Sequence, residues 1–454
     1  MSACEKALTH AKNLKIDECE SVFSQRKIIT VRITDSEIAE IKQNQENSLG
    51  IRVIHQKRIS SAQTANIEEV SKTVEQAFGL SALPKPKDFW KSLPFEFKSS
   101  AKIEKIFDKK LVDISGTKAA DIAQEMINSA THDKVSSITG SLNIVAEKIE
   151  ISNTNGLSCS DDATYISGII NTDSEEGTMA VSGLGQASCR TLNAFTPELV
   201  GEDALEMCIG SINPQKPESG EYSIIFDPYS VGELLAFVFS SNFNLKTYYD
   251  KKSCFSDKLG SKIAADEFSL VDDAHASEGL GSKIFDDEGV ATQSRNLIEN
   301  GIFKKLYSDL FNAFKEGNES SSGNASRLGS PMGRSSDPIP VSSPHNLKIV
   351  GDKKSRDEII KDTKKGLIVG RLWYTYPVNP TKGDFSCTAR SGIRIVENGE
   401  IKTPGTAVRI VHNLPMMLQN ISAIGNDEKN VLQWASLPSI ASTVKAEGIN
   451  VISI

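Results

Sequence analysis

Few residues of the chain stand at spacings that could support catalysis. Cys387 and His412 could form a thiolate–imidazole pair for nucleophilic attack, although a buried structural cysteine has the same signature. The segment 270–289, LVDDAHASEGLGSKIFDDEG, gathers carboxylates around His275 and could bind a hard cation, although a solvated acidic loop is the simpler interpretation. Neither pattern selects a reaction by itself.

The local motifs of common enzyme classes are missing from the sequence. The six histidines lie so far apart that HxH, HxxxH and HExxH do not occur. There is no G-x-S-x-G nucleophile elbow, and Gly279 and Gly281 do not extend to G-x-G-x-x-G. Seven scattered cysteines without a CxxC pair are typical of a reducing compartment rather than of a disulfide framework.

Length and composition bound the class of protein. The chain has 454 residues, 39% of them hydrophobic and 24% charged, which is typical of a globular protein with two or three domains. A net charge of −8 argues against a surface that binds nucleic acid. Since the sequence has no long apolar run and no apolar core near its N-terminus, we expect a cytoplasmic protein without a membrane span.

The pattern of apolar residues predicts an α+β fold throughout. The N-terminal unit, 1–82, starts with a helix and continues as an antiparallel meander, and a second helix capped by Asn66 closes it. Turn residues divide the meander at 34–36, 44–47 and 56–57. A Pro-rich linker at 83–98 leads to a central α+β unit, 99–212, which begins and ends with helices.

A β-rich C-terminal domain is expected over 222–454. It opens with an apolar strand and a helix, SVGELLAFVFSSNFNL at 230–245, in which we expect Phe237 and Phe239 to be buried. The Ser/Gly/Pro-rich segment 318–346 has few apolar anchors and predicts a flexible loop, facing either solvent or substrate.

The last third of the chain contains five ordered sequence blocks. They are GLGSKIFDDEGVATQSRNLIENGIFKKLYSDLFNA, SSSGNASR, GLIVGRL, NPTKGDFSCTARSGIRIVENGEI and NLPMMLQNISAIGND. In this order and spacing they resemble the TldD/PmbA (TldE) family of metalloprotease-related proteins. Weaker agreement at SLGIRVI extends the resemblance over nearly the whole chain.

The resemblance implies one of two branches. TldD-type members carry a zinc-binding HExxxH on the helix that opens the C-terminal domain and a downstream Cys ligand, whereas TldE/PmbA-type members keep the fold without the motif. Here the motif's slot has Ala236, Phe237 and Ser241 in place of His, Glu and His, and the downstream region EKNVLQWASLPS contains no Cys. The resemblance thus implies no catalytic, metal-binding or cofactor-binding residue in this chain, and it leaves Glu233 a role in stabilising the helix N-terminus.

By this resemblance, we expect a non-catalytic TldE/PmbA-like subunit of a cytoplasmic zinc metalloprotease complex that acts on peptides or unfolded segments. The zinc ion would belong to a TldD-like partner in a heterodimer. One alternative is a homodimer that binds peptides without cleaving them. Another is a hydrolase that uses an unrecognised site, such as Cys387 or the acidic segment 270–289. Neither nucleic acid nor membrane is an expected partner.

Overall fold

The first half of the chain forms one antiparallel sheet of six strands, which we call the first sheet. The computed structural model describes residues 1–99, 101–432 and 437–454. The spatial order is β3-β2-β1-β4-β5-β6. The strands are β1 (Glu18–Thr34), β2 (Glu37–His55), β3 (Arg58–Thr64), β4 (Ser137–Asn153), β5 (Ser158–Ser174) and β6 (Val181–Cys189).

The turns of the predicted meander are found at 34–36 and 56–57, where β1, β2 and β3 join. The predicted turn at 44–47 is wrong, because these residues continue β2 and pair with residues 25–28 of β1. β1 also pairs with β4, which follows the linker 83–98 in the chain, so the sheet contains strands from both sides of the linker. The strands of the predicted units 1–82 and 99–212 therefore belong to one sheet.

Helices cover one face of the first sheet. Ile29, Val31 and Ile33 of β1 point to this face, where they join a buried cluster with α4 and α5. Ser115 caps α4 by accepting a hydrogen bond from the backbone of Lys118. Asn66 caps a short turn that leads into α2. The helices are α1 (Ala3–Asn13), α2 (Val70–Leu80), α3 (Lys109–Val112), α4 (Gly116–Ala130) and α5 (Pro197–Ile209).

The C-terminal half contains most of the strands. They are β7 (Gly220–Phe226), β8 (Ser269–Asp272), β9 (Arg295–Glu299), β10 (Ile302–Phe303), β11 (Ala325–Ser326), β12 (Val341–Ser342), β13 (Leu347–Val350), β14 (Lys353–Lys354), β15 (Lys365–Val369), β16 (Arg371–Asn379), β17 (Asp384–Ser391), β18 (Arg394–Glu397), β19 (Glu400–Pro404), β20 (Val408–Asn413), β21 (Ile421–Gly425), β22 (Lys429–Leu432), β23 (Pro438–Ala441) and β24 (Val444–Ser453). The helices are α6 (Pro228–Leu234), α7 (Leu245–Tyr249), α8 (Leu310–Lys315), α9 (Arg356–Lys361) and α10 (Leu414–Gln419). The predicted α+β class with a β-rich C-terminal domain is confirmed.

Two sheets enclose the core of the C-terminal domain. A ten-stranded sheet runs in the order β16-β17-β20-β24-β7-β15-β18-β19, with β21 paired to β24 and β14 to β21. A six-stranded sheet runs in the order β10-β9-β8-β13-β23-β22. Phe226, Phe239 and Leu347 join one large apolar cluster between them. No helix of the described residues is long and apolar enough to cross a membrane.

The segment 318–346 packs against the first sheet and is not an exposed loop. Asn324 and Arg327 within it are buried, and Asn324 Nδ2 donates to Asp272 Oδ2 at 2.6 Å. A Cβ atom on Gly50 of β2 would lie 2.0 Å from the carbonyl oxygen of Ser336, so the two backbones are in close contact. The predicted surface loop is wrong because polar and charged side chains, rather than apolar ones, anchor this segment.

Candidate functional site

The helix that opens the C-terminal domain is irregular. After β7, Pro228 starts α6 at a position that needs no backbone donor, and Gly232 lets the helix lie close to Val431 and Ser439. The helix then widens into a π-helical turn, Leu235–Phe239, and tightens into a 3-10 turn, Ser240–Phe243. Because π turns are often found at functional sites, this stretch is a candidate site. It coincides with the slot identified from the sequence.

The three slot residues lie on the more open side of this helix. Ala236 and Phe237 are half-buried and Ser241 is exposed, whereas Phe239 is only 1% exposed in the apolar core. The burial predicted for Phe239 is confirmed. Phe237, which we also expected to be buried, is half-buried, because its side of the helix is not fully closed by packing. The slot is therefore a partly open surface.

The side chains of the slot do not fit a zinc ion. A methyl group and a phenyl ring donate no electron pair, and the hydroxyl of Ser241 is a poor ligand compared with imidazole, thiolate or carboxylate. In the residues that the structure describes, no group of three or more His, Cys, Asp or Glu side chains could hold a metal ion. Of the downstream region EKNVLQWASLPS, residues 433–436 lie outside the described residues.

Glu233 lies one turn before the slot and is only 4% exposed. Its Oε1 accepts a hydrogen bond of 2.6 Å from the hydroxyl of Thr375 on β16. Burial raises the pKa of this carboxyl to about 7, while the hydrogen bond and Arg371 act in the opposite direction. The expected role at the helix N-terminus is wrong, since Glu233 stands near the end of α6 and binds the neighbouring edge strand.

Cys387 and His412 lie on the neighbouring strands β17 and β20. Phe385 pairs with His412 and Cys387 with Ile410, so the two candidate residues are diagonal neighbours on one face. Burial raises the pKa of the Cys387 thiol far above its usual range and lowers the pKa of the His412 imidazole. Both groups are therefore neutral at pH 7, which does not favour the thiolate–imidazole pair considered from the sequence.

The acidic segment 270–289 is not solvated as its composition suggests. Asp272, Asp286 and Glu288 have 0% exposure and Asp287 has 1%. Glu288 accepts hydrogen bonds from Arg52 Nη1 at 2.7 Å and from the backbone nitrogen of Leu310 at 2.8 Å. These acids are buried because guanidinium groups and backbone amides satisfy them.

His275 does not complete a cation site with these acids. Its Nε2 lies 3.1 Å from the hydroxyl of Thr292, and the carboxylate of Asp286 accepts backbone hydrogen bonds from Glu288, Val290 and Ala325. The carboxylate oxygens are thus already engaged by donors of the protein. The interpretation of the segment as a hard-cation site has no support in this geometry.

Charged side chains lie on the face of the first sheet that is opposite the helices, where they pair with the charged groups of the C-terminal domain. Glu20 Oε2 forms an ion pair with Arg52 Nε at 2.9 Å and accepts a hydrogen bond of 2.7 Å from Arg327 Nη2. Arg334 lies 3.4 Å from both Asp161 and Asp287. We call this set of buried charges the charged interface; its members are Glu20, Arg26, Arg52, Glu147, Asp161, Lys283, Asp286, Asp287, Glu288, Arg327 and Arg334.

The alternation of residues along β1 is the one sequence feature that could have indicated this interface. Glu20, Val22, Ser24 and Arg26 occupy every second position and share one face of the sheet. A strand face with such residues usually contacts water. Here it contacts the segments 283–288 and 320–346, whose charges lie far away in sequence, so the signal could not be recognised locally.

Comparison with solved structures defines the class of fold. TldE from Thermococcus kodakarensis superimposes with a TM-score of 0.86, covering 99% of this chain and 100% of that chain at 23% identity. At this level of identity, the likeness shows a shared fold of the TldE type.

Sequence comparison identifies the family. The PmbA/TldA metallopeptidase C-terminal domain matches residues 219–453, and domain 1 of the same metallopeptidases matches residues 19–81. Metalloprotease PmbA of Escherichia coli O157:H7 is 27% identical over 443 residues, which cover 93% of this chain and 91% of that protein. A metalloprotease of Methanothermobacter thermautotrophicus is 26% identical over 323 residues, covering 69% and 68%. The chain belongs to the PmbA/TldD metallopeptidase family.

Proposed function

We propose that this chain is the zinc-free, TldE/PmbA-like subunit of a cytoplasmic metalloprotease complex that acts on peptides or unfolded segments. In this proposal a TldD-like partner supplies the zinc ion and the general base, since hydrolysis by zinc needs three protein ligands and an activated water. The present chain supplies structure and part of the peptide-accessible surface around that site.

The observation that carries the proposal is the chemistry of the slot on a partly open helix. Ala236 and Phe237 are half-buried and Ser241 is exposed, so a peptide could reach these positions, but they lack the donor atoms of a metal site. Of the two other candidate sites, the Cys387–His412 pair is uncharged at pH 7. The buried acids of the segment 270–289 already accept hydrogen bonds from groups of the protein. An independent hydrolytic activity has no support among these groups.

An exposed apolar patch beside the slot supports the assignment of a protein partner. Tyr374, Tyr376 and Val378 of the edge strand β16 are 72%, 44% and 59% exposed. Val411 of β20 is 39% exposed in the same cross-strand row as Tyr376, and the intervening Ser386 of β17 is buried. Large exposed aromatic side chains of this kind are typical of protein contacts.

The apolar segment 408–425 divides between this patch and the core. Met417 and Leu418 are 1% and 0% exposed and belong to the core, whereas Met416 is 52% exposed on α10. We expect Met416 and the patch, rather than Met417 and Leu418, to contact a partner.

Zinc analysis of the purified chain tests the assignment. After extensive dialysis we expect substoichiometric zinc, because the slot offers no ligand set. The variant A236H/F237E/S241H should retain more zinc than the wild type if these positions are the slot. A matched variant with the same three side chains at the same spacing on α4, at Ala120, Asp121 and Glu125, should not. One tightly held zinc per wild-type chain would contradict the proposal.

Purification of the chain from its native cell tests the proposed heterodimer with a TldD-like partner. A co-purifying relative with an HExxxH motif would support the heterodimer. Recovery of the chain as a homodimer, with no such relative and no peptidase activity, would favour the alternative of a peptide-binding protein.

A further inference from the structure

A small cavity lies between the first sheet and the C-terminal domain, next to the charged interface. Its volume is about 50 Å³, and Tyr165 and Arg190 line it from the first sheet. Ser282, Lys283 and Arg334 line it from the C-terminal domain. A polar cavity of this size has room for roughly three waters or one small polyatomic ion. We call it the interface cavity.

The charges that line the interface cavity are mainly positive. Arg190, Lys283 and Arg334 contribute cations, and Asp161 contributes a carboxylate. His345 also lines it, and burial lowers the pKa of its imidazole to about 3, so this residue adds no charge at pH 7. The wall of the cavity therefore favours an anion over a cation.

Arg190 is a buried guanidinium without a carboxylate partner in the part of the chain that the structure describes. It is 1% exposed, and its three guanidinium nitrogens donate to backbone carbonyl oxygens: Nε and Nη2 to Ile106 at 3.3 Å and 2.9 Å, and Nη1 to Gly279 and Leu280 at 3.2 Å and 2.9 Å. Its guanidinium also lies 4.2 Å from the ring centroid of Tyr165. Carbonyl groups and a ring do not neutralise its charge, and the buried carboxylate of Glu147 acts on it only from beyond ion-pair distance. Burial of an incompletely compensated charge is costly.

Arg334 supplies a second donor group with unused capacity. Its Nε lies 3.4 Å from Asp287, and its Nη2 lies 3.4 Å from Asp161. Its Nη1 is buried and has no hydrogen-bond partner among the described residues. A buried donor of this kind usually contacts an ordered water or an ion. Two guanidinium groups thus line one cavity: Arg190 has no described carboxylate within ion-pair distance, and Arg334 has a free donor.

We propose that the interface cavity binds one small oxyanion, with Arg334 Nη1 as its hydrogen-bond donor and Arg190 as the neighbouring positive charge. Planar guanidinium groups suit the oxygen atoms of such an anion, and charge-assisted hydrogen bonds are the strongest of their kind. Because Arg190 belongs to the segment after β6 and Arg334 to the C-terminal domain, the bound anion connects the two halves of the chain. This inference does not depend on the proposed function.

Isothermal titration of the purified full-length chain with phosphate, sulfate and acetate at constant ionic strength tests the proposal. We expect saturable one-site binding of at least one of these anions and a matching saturable rise in Tm. Preference for phosphate and sulfate would identify a tetrahedral anion, and preference for acetate would identify a carboxylate. No saturable binding of any of the three would overturn the proposal and leave water as the occupant.

Variants then locate the site. Arg190→Gln should weaken binding about tenfold or more, because it removes the neighbouring positive charge. Arg394→Gln removes a guanidinium from a separate cavity of about 330 Å³ and should leave the affinity unchanged. Equal affinity in Arg190→Gln and the wild type would contradict the assignment.

A second variant keeps the test valid if Arg190→Gln does not fold. Ser326 lines the cavity and is 8% exposed, so Ser326→Asp would place a carboxylate inside it. We expect this variant to have a higher Tm than the wild type without added anion and to lose the response to anions. Wild-type anion affinity in a folded Ser326→Asp protein would also overturn the proposal.

Discussion

At the slot, a methyl group, a phenyl ring and a hydroxyl lie on a partly open surface, whereas the charged interface holds carboxylates and guanidinium groups away from water. The region accessible to a substrate has little chemical capacity. The region rich in titratable groups is closed, and its groups are largely engaged by one another. Buried charges that neutralise each other join parts of a fold, and catalysis needs groups that remain available to a substrate.

The largest effect should follow from breaking the charged interface. Arg52→Met leaves Glu20 and Glu288 without the guanidinium that lies 2.9 Å and 2.7 Å from them, and should cost about 3–5 kcal/mol of unfolding free energy. Lys72→Met removes an exposed pair with Glu69 and should cost at most about 1 kcal/mol. Urea unfolding measures both. Equal effects would contradict the view that the interface joins the two halves.

Two phenylalanines of the slot helix should differ in their contribution to stability. Phe239→Ala removes a ring that is 1% exposed and should cost about 3–5 kcal/mol. Phe237→Ala removes a half-buried ring, and we expect a cost of about 1–2 kcal/mol. Comparison of the two variants by urea unfolding checks the openness of the slot. A cost for Phe237→Ala as large as that for Phe239→Ala would mean that the slot is closed.

Glu233 should make stability depend on pH. Because its folded pKa of about 7 lies above its ordinary value of 4.5, the folded state binds the proton more tightly. Its contribution is fully present below about pH 4.5 and decreases as the pH rises to about 7. Glu233→Gln should therefore gain roughly 1–3 kcal/mol over the wild type between pH 5 and pH 8.

The matched control for this pH dependence is Glu125→Gln, at an exposed position of α4. Urea unfolding of both variants and of the wild type at pH 5 and pH 8 measures the change, with Glu125→Gln as the baseline. An equal difference at both pH values for Glu233→Gln would show that Glu233 does not bind the proton as inferred.

The smallest effect on stability is expected at the exposed patch. Tyr374→Ser changes a side chain that is 72% exposed and should alter the unfolding free energy by less than about 0.5 kcal/mol. By our proposal it should weaken association with a TldD-like partner. Analytical ultracentrifugation of the mixture measures this association, and an unchanged affinity would place the partner's surface elsewhere.

Local patterns were sufficient to predict the fold class and several of its elements. Alternation of apolar residues located the strands around the turns at 34–36 and 56–57, and the resemblance to the family located the slot at Ala236, Phe237 and Ser241. The polar stretch 44–47 misled the prediction, because turn-forming residues can also occupy an exposed strand.

Long-range charge pairing could not be predicted from one sequence. Glu20 and Arg327 are distant in the chain, and each alone is typical of a solvated surface. The same applies to the acids of 270–289, whose partner Arg52 lies on β2. Only the packing of 320–346 against the first sheet brings these groups together, so neither their burial nor the interface cavity could be recognised in advance.

By our proposal, hydrolysis needs a zinc site from outside this chain. The most direct measurement is a peptidase assay on an unstructured peptide, with this chain alone, an HExxxH-bearing relative alone, and the mixture, each with and without a chelator. We expect chelator-sensitive cleavage only in the mixture, and co-elution of the two chains. Chelator-sensitive cleavage by the isolated chain would contradict the claim, and a relative that is fully active alone and never co-elutes would contradict the partnership.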